Sequence, residues 1–263
     1  MARLIPPHGK SHLKPLIALE AGRSDALARA ERLRKLPMSS REVSDLLMLG
    51  MGAYTPLTGF MGEADWRSCC LDMKTADGIF WPIPITLSCE SDLAAGITVG
   101  EEVALLDDTG TIFGTIEVTE KYTIDKAFEC THVYRTTDVA HAGVERVMQQ
   151  GAINLAGPVI VLNEGHYSET YPGLYYRPAE TRALFQAQNW NTVAAFQTRN
   201  PMHRSHEYLA KIAVEICDGL LIHQVLGALK PGDIPAKVRV ASINALVENY
   251  FVPGTVIQAG YPI

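Results

Sequence analysis

The densest cluster of chemically capable side chains in the 263-residue sequence is Gln197-Thr198-Arg199-Asn200-Pro201-Met202-His203-Arg204-Ser205-His206-Glu207. It combines amides, a hydroxyl, a guanidinium that stays charged at any working pH, and two imidazoles. Hydrogen-bonding and charge stabilisation of an anion is the chemistry such a set performs. Four uses of His203 and His206 stand open. With Arg199 they can hold the oxygens of an anion or nucleotide. They can ligate a metal such as zinc, since residues at i and i+3 share a helix face. One of them can act as a general base, or both can simply cap a helix. H-R-S-H-E is not H-E-x-x-H, and no third ligand of obvious spacing follows.

The neighbouring elements place this cluster. Thr192–Phe196 (TVAAF) is a short apolar run that suits a buried parallel strand. Residues 204–218 put Leu209, Ile212, Ala213, Ile216 and Cys217 on one face at helical spacing, with Gly219 as a stop. Leu220–Leu226 reads as the next strand, Pro235–Tyr250 as a helix and Thr255–Ala259 as a third strand. Pro178 suits a first helical turn, with Ala179–Gln188 continuing it. This β-α-β-α-β order implies a parallel sheet. Ligands of such sheets bind outside the carboxyl ends of the strands, and a helix N-terminus favours an anion. The cluster occupies both positions at once.

The first 165 residues read differently. Ser24–Leu36 has a helical composition, and Ser39 with Glu42 fits a capping box opening a short helix that Gly50 ends. Thr55–Phe60 reads as a loop and residues 80–165 as mainly β: extended Trp81–Ile85, a hairpin of Val103–Leu106 and Thr111–Val118, and a strand at Gly157–Asn163. Short strands with turn signals suggest a small barrel or sandwich.

Composition sets the outer limits. At 47% hydrophobic and 20% charged the chain is an ordinary globular protein. A net charge of −6 lacks the basic footprint of a nucleic-acid binder. Residues 166–263 carry eight Lys/Arg against seven Asp/Glu, so the excess acid lies in the first half. Cys69, Cys70, Cys89, Cys130 and Cys217 are odd in number and form no C-x-x-C, which reads as reduced thiols of a cytoplasmic protein. There is no apolar signal region near the N-terminus and no 18-residue apolar run.

The run Gln197–Glu207 resembles the Q-x-R-N-P-x-H-x-x-H-E signature of the ATP sulfurylase (sulfate adenylyltransferase) family. Further segments resemble the same family in the same order: Pro7-His8-Gly9, Tyr54–Met61, Val133–Asp138 with His141 and Gly143-Val144, Gly157-Pro158, Arg177–Phe185 and Leu226–Pro235. The chain contains no G-R-D-H, the family's second motif, and looks like the N-terminal two-thirds of a sulfurylase. No P-loop G-x-x-x-x-G-K-[ST] is present, so a fused adenylylsulfate kinase is not supported within these residues.

The resemblance implies an α/β plus β protein: a PUA-like β-rich domain over 1–165, then a Rossmann-like nucleotidyltransferase domain over 166–263 that is incomplete at its C-terminus. It implies transfer of adenylyl from ATP to sulfate, giving adenylyl sulfate and pyrophosphate, with Mg²⁺ arriving with ATP and no protein-bound metal. The catalytic set carried over by motif position is Thr198, Arg199, Asn200, His203 and His206. Gln197 and Arg199 would bind sulfate; Gln197, Thr198, Asn200, His203 and His206 would bind ATP. The alternative is a fragment that binds nucleotide or sulfate without turnover. A homo-oligomer, by default a dimer, is expected, with no nucleic-acid or membrane partner. Lys230 and Asp233 read as turn and N-cap residues before site residues, Arg135 and His141 as structural or interface groups, and His223 as a satisfied core histidine. Cys69 and Cys70 read as packing, and Met48, Met51 and Met61 as core or loop filler.

Overall fold

The computed structural model describes residues 3–10, 12–227 and 234–262. Lys230 and Asp233 lie outside the described residues. The chain forms two compact units, Lys14–Glu164 and Gly165–Ile263, and Met1–Leu13 groups with the second.

The Lys14–Glu164 unit runs α1 (Glu20–Ala30), β1 (Arg34–Pro37), α2 (Ser40–Gly50), β2 (Gly59–Phe60), α3 (Glu63–Asp72), β3 (Leu87–Cys89) and α4 (Ser91–Ala95). It continues with β4 (Glu102–Leu106), β5 (Ile112–Glu117), β6 (Glu120–Thr123), α5 (Lys126–Glu129), a π-helical turn at Cys130–Tyr134, α6 (Ala142–Gln149) and β7 (Ile153–Val161). The seven strands form one sheet in the order β1-β4-β5-β7-β2, with β3 and β6 also on β7. Strand β7 is the spine. Its first half pairs with β3 and β6, its second half with β5 and β2, all antiparallel. Gly157 permits this crossing of partners. Its φ is +149°, and a Cβ there would stand 1.9 Å from the Glu117 carbonyl oxygen, a contact that any side chain forbids.

The expected capping box is present: the Ser39 side chain accepts from the Glu42 N–H, and Glu42 Oε2 accepts from the Ser39 N–H at 2.8 Å. Its other oxygen accepts from the Ser88 N–H at 2.6 Å, so one buried carboxylate ties α2 to β3. Apolar burial supplies the core: Leu36, Leu46, Leu87, Leu105, Ile116 and Leu155 are almost fully buried. Cys69 and Cys70 are buried in it, and burial pushes the Cys69 thiol up to about 12, which makes it inert packing. Two expectations are corrected. The helix placed at Ser24–Leu36 starts at Glu20 and stops at Ala30, and Arg34–Pro37 becomes a strand pairing parallel with β4. Within the stretch expected to be mainly β, residues 126–134 and 142–149 are helical, and no strand forms at Trp81–Ile85.

The second unit contains α7 (Tyr167–Thr170), α8 (Pro178–Ala187), β8 (Val193–Thr198), α9 (Arg204–Ile216), β9 (Gly219–Val225), α10 (Ala236–Tyr250) and β10 (Val256–Tyr261). The three strands form a parallel sheet in the order β10-β9-β8, the β-α-β-α-β order expected. Leu220 and Ile222 pack with Ala210 from α9 and Ile243 from α10, so both helices cover one face of the sheet. Gly219 opens β9 instead of closing the helix before it; the C-cap is Cys217.

One further expectation fails here, and the neighbouring helix shows the same reason. Strand β8 was expected to be buried, yet it lies at the sheet edge and none of its residues is buried. On α9 the residues that share one face at helical spacing are not packed along its length: Leu209 is 55% and Ile216 77% exposed. The periodicity marks a face suited to burial, and the described residues leave it uncovered.

Candidate functional site

Strand β8 delivers Gln197 and Thr198 to the carboxyl end of the sheet, and the chain then turns through Arg199–Met202 into α9. Strand alternation fixes which way each points. Ala194, Phe196 and Thr198 align with Leu220, Ile222 and Gln224 on the helix-covered face. Gln197 aligns with His223 on the other face, where His223 also stands beside Ala259 of β10. The His223 and Tyr261 rings stack there with centroids 4.3 Å apart. Burial raises the Tyr261 hydroxyl above the ordinary phenol range, and the Arg199 guanidinium works against that shift. The second face therefore collects Gln197, His223, Tyr261 and the charge of Arg199.

The turn holds its own shape. Thr198 Oγ1 accepts from the Asn200 N–H at 3.0 Å and donates to the Asn200 carbonyl at 2.8 Å. Buried Met202 anchors the turn in the core under the sheet. From the other side Arg239, almost fully buried on α10, donates to the Arg199 carbonyl at 2.8 Å and to the Val225 carbonyl.

His203 is the N-cap of α9, and its ring lies 3.9 Å from that of His206. His206 Nδ1 accepts from the His203 N–H at 3.3 Å, which in the neutral ring leaves the proton on Nε2. Ser205 Oγ lies 2.8 Å from His203 Nδ1, and the His206 ring meets Phe196 edge-on. Burial, and then the neighbouring His203, hold His206 below the ordinary imidazole range. Glu207 is buried and paired with Lys211 at 2.7 Å, so its charge is committed within the helix. An open hollow of about 670 Å³ runs over this helix start between His203, Arg204, Tyr208 and Lys211.

All six expected site residues, Gln197, Thr198, Arg199, Asn200, His203 and His206, thus fall on one strand end, one turn and one helix start. His223 is half-buried and stands next to Gln197, a place the reading as a core histidine did not give it. Arg239 and Tyr261 were missed. Nothing in A-K-V-R-V or A-G-Y distinguishes them locally; only strand register and a helix from farther along the chain bring them in. His141 is the N-cap of α6, where its Nδ1 accepts from the Gly143 N–H at 3.2 Å. Among the described residues no group of three or more His, Cys, Asp or Glu is arranged to hold a metal ion, and no helix is long and apolar enough to cross a membrane.

Comparison with known proteins places both parts of the chain in known families. Residues 5–164 match a PUA-like domain, and residues 172–263 match the ATP-sulfurylase domain. Proteins named sulfate adenylyltransferase from Chlorobium chlorochromatii (strain CaD3) and Chlorobaculum tepidum are 57% and 58% identical over 99% of this chain. The chain carries a PUA-like domain followed by an ATP-sulfurylase domain. It spans 65% of the length of each of those relatives. A solved structure described as a hexameric APS kinase from Thiobacillus denitrificans superposes with a TM-score of 0.74 at 27% identity, over 98% of this chain and 47% of that one. The sulfurylase match covers β8, α9, β9, α10 and β10, the elements that build the site.

Proposed function

We propose that the second unit carries the ATP- and sulfate-binding turn of a sulfate adenylyltransferase, within a division at residue 165 into a PUA-like domain and a catalytic domain. One observation carries the reading: the sulfurylase signature lies at the carboxyl end of a parallel sheet and runs directly into the N-terminus of α9. Sulfate attacks the α-phosphorus of ATP in line, a new sulfate–phosphorus bond forms, and the bond to pyrophosphate breaks. Sulfate is already anionic and needs no base. The barrier lies in bringing two polyanions together and stabilising the charge that develops, so positioning and electrostatics supply the catalysis.

In this reading Arg199 pairs with sulfate through its planar fork. Gln197 donates its amide to sulfate or the α-phosphate from the face it shares with His223. Thr198 and Asn200 shape the turn and place donors near the reacting phosphoryl oxygens. His203 and His206 hold the ATP phosphates at the positive end of α9. The turn offers amides, imidazoles and a guanidinium but no uncommitted carboxylate, so Mg²⁺ enters as part of MgATP, held by the phosphates themselves. The protein works in the cytoplasm as a homo-oligomer.

Pyrophosphate release from MgATP, with and without sulfate, tests the reading. Sulfate-dependent release that Arg199→Ala abolishes supports it. Release that survives Arg199→Ala removes Arg199 from the sulfate site. A second reading, binding without turnover, is favoured by the exposure of Gln197, Asn200 and His203. Saturable binding of MgATP and sulfate with no release decides for it.

A further inference from the structure

We propose that Arg239 is a positioning residue for the anion-binding turn: from α10 it clamps the chain leaving β8 to the end of β9, and so aims Arg199. The inference rests on the adenylyl-transfer reading and deepens it.

Arg239 lies in the first turn of α10, well away in sequence from the 197–207 cluster, and is 1% exposed. A guanidinium placed there gives up its hydration, a cost met only through hydrogen bonds. Two of them go to main-chain carbonyls, those of Arg199 at 2.8 Å and of Val225. These acceptors are not ordinary core groups. Val225 is the last residue of β9, and Arg199 is the first residue after β8. The carboxyl ends of such strands are where an open parallel sheet receives its ligand. Fixing the Arg199 carbonyl fixes the peptide joining it to Asn200, and with it the direction in which the Arg199 side chain leaves the turn. The rest of the turn is held by the short Thr198–Asn200 bonds and by Met202. None of these hydrogen-bonds the turn to the last residue of β9; Arg239 bridges the two.

Its charge acts in the same direction. A buried cation on the helix side of the turn is screened little, and it favours an anion held by Arg199 on the other side. A residue that only filled the core would contribute neither effect.

Two variants separate positioning from core filling. Arg239→Lys keeps the charge but cannot span both carbonyls, and Arg239→Gln removes the charge. Sulfate affinity is measured by equilibrium dialysis of labelled sulfate in the presence of a non-hydrolysable MgATP analogue. Affinity for the analogue and thermal unfolding are followed on the same samples, with Arg199→Ala as reference. The expected result is folded variants whose sulfate affinity drops about tenfold for Lys and further for Gln, with analogue affinity changed less than about threefold. Equal loss of both ligands, unchanged sulfate affinity in whichever variant folds, or failure of both variants to fold overturns the positioning role. If the unsubstituted chain binds neither ligand, the adenylyl-transfer reading falls first. If Arg199→Ala loses sulfate while both Arg239 variants keep it, only the present inference falls.

Discussion

In the Lys14–Glu164 unit β7 is paired along both of its edges, and its inward side chains are almost fully buried. In the second unit β8 is paired on one edge among the described residues, none of its residues is buried, and the helix after it presents Leu209, Ile212 and Ile216 outward. One unit spends its apolar residues on a closed core; the other leaves a strand edge and a helix face uncovered beside its chemistry. The difference teaches that order at the site rests on a few specific contacts. The Thr198–Asn200 turn, the His203–His206 contact and the Arg239 clamp hold it in place of burial of β8.

The largest effect that sharpens this contrast is Leu155→Ala in β7. It deletes a fully buried side chain from a close-packed site and costs about 2–5 kcal/mol in denaturant unfolding. A cost near zero would mean the core of that unit is not closed.

The next effect is electrostatic. Asp45 is buried on α2, and burial raises its carboxyl from 3.8 to about 6 against the opposing pull of Arg41 and of the Tyr54 hydroxyl, which donates to it at 3.0 Å. The fold favours the protonated form. Stability from this group is therefore fully present below about pH 4 and is lost as pH rises through about 6, some 2–3 kcal/mol in all. Asp45→Asn keeps an acceptor for Tyr54 and flattens that slope. An unchanged pH profile of unfolding would show that the carboxylate is better solvated than its burial implies.

The smallest effect belongs to the uncovered helix face. Ile216→Lys replaces a 77% exposed side chain and shifts stability by less than about 0.5 kcal/mol, while light scattering registers less self-association at high concentration. A loss comparable to that of Leu155→Ala would show that this face is packed after all, and the contrast between the units would collapse.

The parts of the fold visible in the sequence are those governed by local chemistry. Ser39 and Glu42 announce their capping box, Pro178 opens α8, and the parallel order of β8, β9 and β10 follows from alternating patterns. The site was visible for a related reason: Gln197 to His206 are contiguous, so one strand end and one helix start place them all. What stayed hidden depends on pairing at a distance. Arg34–Leu36 was read as the end of a helix and becomes part of a strand because β4 lies beside it. His223 and Tyr261 join Gln197 through strand register, and Arg239 reaches Arg199 across 40 residues. The exposed stripe on α9 has the periodicity of a buried face, and periodicity alone does not say whether a partner is present.

The most direct test of the central claim is sulfate binding by this chain in the presence of a non-hydrolysable MgATP analogue, compared with Arg199→Ala. The account predicts saturable binding of both ligands. It also predicts a loss of at least about tenfold in sulfate affinity for the variant, with analogue affinity nearly kept. A folded chain that binds neither ligand, or a variant that binds sulfate as well as the unsubstituted chain, would contradict it.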